Sequence, residues 1–293
     1  MPSIDIVPTG QDLLGECPLW DGSTQSLYWI DSRRHLVRRY RPASGAQHEW
    51  TLPEEIGSIA LCESGQLLVA LVDRLVRLDP ATGAVTALAR VQHAAENIRL
   101  NDGRVDRGGR FVVGSLVKGR RDPLGTLYQL SGDRVREVDR GFCVVNTTCF
   151  SPDGRWLHVA DSATRTILRY RYDTATGALG PREVFIDTAA LNSAPDGAAV
   201  DAEGGLWVAL VQTAQLVRFH PDGSLDRMID CPVPYVTCPC FGGEGLDTIY
   251  LTSIRDSGHL LCTDHPDGGA LLAIRGTGAR GLPEARFDDR GIR

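Results

Sequence analysis

Residues able to bind a cation or to move a proton stand at corresponding positions in a repeated sequence pattern. They are two carboxylates, two amides and a guanidinium: Glu16, Asp196, Asn101, Asn146 and Arg99. Two carboxylates and an amide oxygen make an all-oxygen ligand set, which suits a hard divalent cation. Taken singly, each residue is equally at home on a solvated turn, since most charged side chains are exposed. Their shared position in the repeat favours a common site.

Asp196 lies in the segment Pro195-Asp196-Gly197, just before a short strand that includes Val200. Proline fixes one backbone angle and glycine relaxes the steric limit two positions later, so we expect a turn that holds the carboxylate in place. One interpretation is a turn-forming aspartate that caps its own backbone. The other is a residue that does chemistry, and this segment by itself leaves both open.

Six copies of a strand-and-turn pattern would bring these residues together. The first hairpin glycine of each copy recurs every 41 to 50 residues, at Gly22, Gly65, Gly109, Gly154, Gly204 and Gly245. That period is close to one four-stranded propeller blade, and no segment shows helical periodicity. We predict a single all-β domain over residues 1–293, a six-bladed β-propeller with four-stranded antiparallel blades around a central channel. The early strand at 4–7 is predicted to complete the sixth blade.

Composition limits the classes of function. The 293-residue chain has a formal net charge of −6, which argues against nucleic acid as a partner because such binding requires a basic face. No apolar stretch approaches the ~20 residues that span a bilayer, and the amino terminus lacks the pattern of a secretory signal. Eight scattered cysteines form no C-x-x-C pair. We expect a cytoplasmic protein without membrane contact, with reduced and mostly buried thiols, as a monomer or small homo-oligomer.

Four motifs follow one another along nearly the whole chain. They are Leu14-Gly15-Glu16-x-Pro18-x-Trp20, Arg99-x-Asn101-Asp102-Gly103, Pro195-Asp196-Gly197 with Val200-Asp201-x-x-Gly204, and Cys240-Phe241-Gly242-Gly243. Together they resemble the gluconolactonase / senescence-marker-protein (regucalcin-like) family of six-bladed propellers. The resemblance implies that Glu16, Asn146 and Asp196 bind one divalent metal ion. It also implies that Arg99 and Asn101 hold substrate oxygens.

The chain departs from this family at two places. Thr147 stands where the family usually has glycine after the liganding asparagine. The third repeat carries the basic segment Lys118-Gly119-Arg120-Arg121, where the family typically has acidic residues. One interpretation of the segment is a solvated loop. The other is a pocket rim where Lys118 and Arg121 bind a substrate with its own carboxylate, because Arg and Lys pair well with such groups.

The resemblance predicts a metal-dependent hydrolase that opens a sugar lactone, an aldono- or aldarolactone, to the sugar acid in carbohydrate catabolism. A divalent cation polarises a carbonyl and acidifies water, and Asp196 would be both a metal ligand and the general base. Calcium, zinc, magnesium, manganese and iron(II) all remain candidates, because oxygen ligands discriminate weakly among them.

Other functions fit the same fold. A calcium-binding regulatory propeller would bind metal without turnover, and a propeller esterase or phosphotriesterase would need a more apolar pocket. A protein-interaction platform would need no site at all. The chain has no Gly-x-Ser-x-Gly motif and no histidine pair with metal-ligand spacing, which argues against a serine hydrolase and a histidine-zinc hydrolase.

Overall fold

Each sequence repeat folds as one four-stranded antiparallel sheet, and the six sheets form a ring. The structure is a computed structural model that describes residues 2–119 and 121–292. These residues contain no α-helix and one short 3₁₀ turn, Ala189–Leu191. The predicted six-bladed β-propeller is therefore confirmed.

The strands of the first three complete blades are β2 (Gly15–Asp21), β3 (Ser26–Asp31), β4 (Leu36–Arg41) and β5 (Ala46–Thr51); β6 (Ser58–Leu61), β7 (Leu67–Ala70), β8 (Arg74–Leu78) and β9 (Val85–Arg90); β10 (Ile98–Val105), β11 (Phe111–Val117), β12 (Gly125–Ser131) and β13 (Arg134–Phe142). The next two blades are β14 (Val145–Phe150), β15 (Trp156–Asp161), β16 (Thr166–Tyr172) and β17 (Leu179–Asp187); β18 (Pro195–Val200), β19 (Leu206–Leu210), β20 (Gln215–Phe219) and β21 (Leu225–Asp230). The sixth blade combines β22 (Val236–Gly242), β23 (Thr248–Ser253) and β24 (Ala270–Arg275) with β1 (Ser3–Gln11).

The two ends of the chain share the sixth blade. Strand β1 pairs antiparallel with β24, so that Ile4 lies opposite Ile274 and Ile6 lies opposite Leu272. The prediction that the early strand completes this blade is confirmed. Closing the ring in this way removes two sheet edges that would otherwise be open to pairing.

Hairpin turns between strands follow from local sequence. The carboxylates of Asp21, Asp79 and Asp173 each accept a hydrogen bond from the backbone N–H two residues later, at 3.0, 2.8 and 2.9 Å. Such Asx turns let an aspartate side chain replace a backbone acceptor. The turns are therefore specified within a few residues and do not depend on the ring.

Burial decreases from the channel axis to the rim. The first strands of neighbouring blades contact each other around the ring, β2 with β6, β6 with β10, and so on to β22 and back to β2. Strands β14 and β22 are wholly buried, whereas the outermost strands β5 and β21 are mostly exposed. The apolar cores lie between adjacent blades. The inner strands are thus held firmly enough to position side chains around the channel.

Candidate active site at the channel mouth

The inner strands that carry predicted site residues are irregular at those residues. The antiparallel register shifts just after Glu16 in β2, after Asn146 in β14 and after Pro195 in β18. A β-bulge bends a strand and re-aims the side chains beside it. At the end of the channel where these strands begin, which we call the channel mouth, the charge of Asp196 acts on Glu16 and the amide of Asn101 hydrogen-bonds that of Asn146.

The sequence predicted that Asp196 lies in a turn just before a strand. In the structure it lies within the bulged strand β18. The glycine after it has a different role from the one expected. A Cβ on Gly197 would lie 2.4 Å from Cys238 Sγ of the next blade, so only glycine allows β18 and β22 to approach this closely. Close packing of two inner strands therefore holds the Asp196 backbone in place.

A chain of hydrogen bonds joins the predicted amide and guanidinium residues. Arg99 Nη1 donates to Asn101 Oδ1 at 2.9 Å, and Asn101 Nδ2 donates to Asn146 Oδ1 at 2.8 Å. Asn101 Nδ2 also donates to the Val145 carbonyl at 2.8 Å, which can only accept and so fixes the orientation of this amide. The structure thus brings Arg99, Asn101 and Asn146 together.

Ser162, which the sequence analysis missed, fixes the orientation of the second amide. Its hydroxyl donates to the Pro195 carbonyl at 2.6 Å, so its oxygen must accept the 2.9 Å hydrogen bond from Asn146 Nδ2. Asn146 Oδ1 therefore accepts the hydrogen bond from Asn101 and keeps a second lone pair that could bind a ligand. No sequence signal could have found Ser162, because it comes from the hairpin after β15 and reaches Asn146 only through the strand pairing.

Three carboxyl groups approach one another at the channel mouth. Burial, together with the charge of Asp102, raises the pKa of Asp196 to about 8, although the Gly197 N–H and the charge of Arg99 act in the other direction. Burial and the charges of Asp196 and Asp102 likewise raise the pKa of Glu16 well above its ordinary value. Excess negative charge in a buried place is what a cation would neutralise.

Asp102 is the third of these carboxyl groups and was predicted only as part of a motif. Burial raises its pKa, although the charge of Arg104 and the 2.6 Å hydrogen bond from the Thr148 N–H oppose this effect. Its neighbour Asn101 was predicted to be at the site, and β10 is also bulged between Leu100 and Gly103. A signal for Asp102 was therefore present in its position next to Asn101.

The residues at the channel mouth fit a hard divalent cation by the chemistry of their donors. Glu16, Asn146 and Asp196 offer two carboxylates and an amide oxygen whose orientation is fixed. Among the described residues, no three His, Cys, Asp or Glu side chains form a metal-ligand cluster. The predicted set contains only two residues of those types, since its third member is an amide.

Thr147, the residue that replaces glycine, adopts a conformation that glycine takes freely. Its φ is 57°, in the left-handed region that a β-branched residue rarely enters, and its side chain is fully buried. Its hydroxyl donates a hydrogen bond to the Asp196 carbonyl. The departure from the family therefore adds a direct link between the two inner strands that carry Asn146 and Asp196.

A cavity of about 590 Å³ lies at this end of the channel, and Arg99 is the residue of the predicted site at the channel mouth that lines it. Arg99, Lys118 and Arg121 line it, together with Glu55, which the sequence analysis did not single out. The two residues predicted to bind substrate at the rim, Lys118 and Arg121, therefore line this cavity. Arg120, from the same basic segment, lies outside the described residues. A lining with several cations suits a substrate that carries negative charge.

The opposite end of the channel, which we call the channel floor, is covered by the C-terminal segment. Backbone hydrogen bonds join this segment to four blades: Ala202 N–H to Arg280 O, Gly281 N–H to Leu246 O, Phe287 N–H to Leu61 O and Asp288 N–H to Gly109 O. Within the floor, Arg104 Nη1 donates to Glu284 Oε1 at 2.7 Å and Nη2 donates to Ala198 O at 3.0 Å. A substrate therefore reaches the site from the channel mouth.

The cysteines take no part in a disulfide. All eight are free, and six of them are buried, as predicted for most of these thiols. Burial raises the pKa of Cys17 to about 12, so this thiol, next to Glu16, stays protonated at neutral pH. Within the described residues there is also no helix with the length and hydropathy of a membrane-spanning segment.

The fold and the site define a class of protein: six-bladed propellers with an oxygen-rich site where the inner strands meet. Residues 14–255 match the model of the SMP-30/Gluconolactonase/LRE-like region. The chain belongs to this family, as its motifs predicted. It is 35% identical to a 6-deoxy-6-sulfogluconolactonase of Pseudomonas putida over 266 residues, 90% of this chain and 91% of that one.

Two regucalcins are similar over nearly the full chain. The regucalcin of Gallus gallus is 31% identical over 298 residues, which cover 98% of this chain and 99% of the relative. The crystal structure of a regucalcin from Agrobacterium tumefaciens, described as a calcium-binding protein, has a TM-score of 0.90 at 27% identity and covers 96% of each chain. The family therefore includes relatives named for lactone chemistry and relatives named for calcium.

Proposed function

We propose that this protein is a sugar lactonase that opens a lactone bearing an anionic substituent to the corresponding acid, with one divalent metal ion. Lactone hydrolysis in sugar metabolism agrees with the family and with the lactonase relative. The charge of the substrate, the metal and the roles of single residues are what the proposal adds.

The proposal is supported by one combination of features: two interacting carboxyl groups and an ordered amide chain at the channel mouth, beside a cavity that cations line. Glu16, Asn146 and Asp196 would hold the metal. A divalent ion at such a site supplies Lewis acidity for a lactone carbonyl and lowers the pKa of water. Charge neutralisation by that ion would also favour the ionised form of Asp196.

The protein's own residues account for the remaining steps. Asp196 accepts a proton from the attacking water, whose oxygen forms a bond to the lactone carbonyl carbon. The ring C–O bond then breaks, and the departing ring oxygen takes the proton from Asp196. Arg99 and Asn101, held by their mutual hydrogen bond, orient the oxygens of the sugar. Lys118 and Arg121 bind the anionic substituent.

The name of the Pseudomonas putida relative supports a charged substrate, since a sulfogluconolactone carries a sulfonate. The side chain of Arg121 is exposed and lines the cavity, where it would contact such a group. Binding of calcium without turnover is the second candidate function, because the Agrobacterium relative is described as a calcium-binding protein.

A pH-indicator assay of acid release tests the proposal. The panel includes neutral aldonolactones and acidic aldarolactones, each with chelator and with calcium, zinc, magnesium, manganese or iron(II) added back. We expect turnover that chelator abolishes and that is faster on acidic lactones. Calcium binding in calorimetry without any turnover would instead support the calcium-binding candidate. Equal rates with and without chelator would contradict a role for the metal ion in turnover.

The rim residues are tested with charge reversal. A Lys118→Glu/Arg121→Glu variant should lose more activity on acidic lactones than on neutral ones, because only the acidic ones need a cation there. The matched control is Arg134→Glu/Arg155→Glu, two exposed arginines outside the residues that line the cavity. Equal losses on both substrate classes would return the segment to the solvated-loop interpretation.

A further inference from the structure

The cavity wall contains a carboxylate that the proposed mechanism does not use. Glu55 lies between β5 and β6, and its two oxygens contact two different cations. Glu55 Oε1 is 2.9 Å from Lys118 Nζ, and Glu55 Oε2 is 3.5 Å from Arg99 Nε. All three side chains line the same cavity, and that of Glu55 is 27% exposed. Glu55 is thus a counter-ion for a cation predicted to bind substrate.

The carboxylate form of Glu55 is favoured at neutral pH. Burial raises the pKa of Glu55, but the hydrogen bond from Lys118 and the charge of Arg99 more than offset this effect, so the pKa lies below its ordinary value. Lys118 Nζ is therefore already paired with a negative charge before any substrate enters. An anionic substituent must compete with Glu55 for it, whereas a neutral lactone leaves the pair intact.

Arg99 keeps Glu55 in position for this competition. The guanidinium is itself fixed, because its Nη1 donates to Leu100 O at 2.8 Å and to Asn101 Oδ1 at 2.9 Å. Glu55 can therefore lose its contact with Lys118 and still keep its contact with Arg99. Release of Lys118 requires only a change in the flexible lysine side chain.

We propose that Glu55 sets the charge selectivity of the substrate pocket by occupying Lys118, which an anionic substituent of the substrate then takes over. This inference rests on the proposed function, because it concerns the substrate class of the same site. Without Glu55, Lys118 would lose the carboxylate that now pairs with it and would bind small anions more tightly, including the acid that each turnover produces. Glu55 therefore lowers the affinity of the cavity for anions and, by the same effect, makes release of the acidic product faster.

The experiment measures KM and kcat of Glu55→Gln for a glucarolactone, as the anionic probe, and for D-glucono-δ-lactone, as the neutral probe. Removing one charge from a partly exposed pair should lower KM for the glucarolactone about threefold to tenfold. KM for the neutral probe should change less, and inhibition by added gluconate should become stronger in the variant. A ratio of the two KM values equal to that of the wild type would overturn the inference.

The matched control is Glu54→Gln. Glu54 is the preceding residue, has the same side-chain exposure of 27%, and pairs with Arg74 at 2.9 Å away from the cavity lining. We expect wild-type selectivity from this variant, and the same shift as in Glu55→Gln would overturn the inference by showing a general effect of charge.

A second background makes the role of Lys118 testable even where Glu55→Gln folds poorly. In Lys118→Gln the preference for the glucarolactone should fall, and adding Glu55→Gln should then change KM little. An undiminished effect of Glu55→Gln in that background would overturn the inference. Absence of lactone turnover by the wild type would overturn the proposed function as well, whereas turnover with unchanged selectivity in Glu55→Gln removes the inference alone.

Discussion

The two ends of the central channel differ in whether their buried charges are paired. At the channel floor, Arg104 is paired with Glu284 at 2.7 Å, and a backbone carbonyl accepts its second hydrogen bond. At the channel mouth, the charges of Asp102 and Asp196 raise the pKa of Glu16, and that of Asp102 raises the pKa of Asp196. Within the described residues no salt bridge joins Glu16 or Asp196 to a cation, although the charge of Arg99 acts on both. A paired charge is compatible with a rigid, closed end, while unpaired carboxylates lower stability unless a ligand joins them. The contrast shows where this fold gives up stability for a site.

The largest expected effect comes from Asp196→Asn at the channel mouth. Loss of the proposed general base should lower kcat roughly 100-fold or more. The melting temperature without metal should stay nearly the same at neutral pH, because Asp196, with a pKa of about 8, is mostly protonated there and the amide has the same shape. Steady-state kinetics and thermal melting measure the two effects.

Asp201→Asn is the control for this variant. Asp201 is 1% exposed and accepts hydrogen bonds from Arg218 Nε at 2.7 Å and Trp207 Nε1 at 2.9 Å. This substitution should lower the melting temperature and leave kcat of the folded protein nearly unchanged. Near-wild-type turnover by Asp196→Asn would remove Asp196 from the mechanism.

The channel floor should respond in the opposite sense. Glu284→Gln leaves Arg104 buried without its counter-ion and should lower the free energy of unfolding by about 3 kcal/mol. Denaturant unfolding measures the change. Glu183→Gln removes an exposed partner of Arg169 and should cost less than about 1 kcal/mol. If both variants unfold at the wild-type denaturant concentration, the floor pair does not stabilise the propeller.

The stability of the channel mouth should depend on pH. The native pKa of Asp196, about 8 without metal, lies above its ordinary value of 3.8, so the native state holds this proton more tightly than the unfolded state. The resulting stabilisation is complete below about pH 4 and is lost as the pH rises towards 8. A divalent cation needs the carboxylate form. We therefore expect the rise in melting temperature caused by added calcium to be larger at pH 8 than at pH 5.5, and an equal rise at both would contradict this assignment.

Thr147 should give the smallest effect. Thr147→Val keeps the shape of the side chain but leaves the Asp196 carbonyl without its hydrogen bond, which should cost about 1 kcal/mol in the free energy of unfolding. Thr147→Gly loses the same hydroxyl but relieves the strain at φ 57°. The glycine variant should therefore be the more stable of the two in denaturant unfolding. The reverse order would show that the left-handed backbone at this position is not strained.

The features of the fold that the sequence predicts best are local ones. The sequence predicts strands Ser26–Asp31 and Gln215–Phe219 with the bounds that the structure has, because alternating or apolar runs end at turn residues. Apart from the closing strand of the sixth blade, the outermost strands are not predicted individually. Ala46–Thr51, for example, is polar and almost wholly exposed, so it has no hydrophobic pattern to mark it. Its hydrogen bonds to the neighbouring strand make it a strand.

The number of blades and the closing strand follow from the sequence, because the repeats and turns that specify them lie within short segments. The candidate site residues follow from their positions in the repeats and from the family resemblance. Which side chains contact one another depends on the tertiary structure. The fixed amide of Asn146 depends on Ser162, and the state of Lys118 depends on Glu55, from a different blade. Such contacts join residues far apart in the chain, and neither partner carries a local pattern that points to the other. The charge balance of the channel mouth is therefore a property of the closed ring.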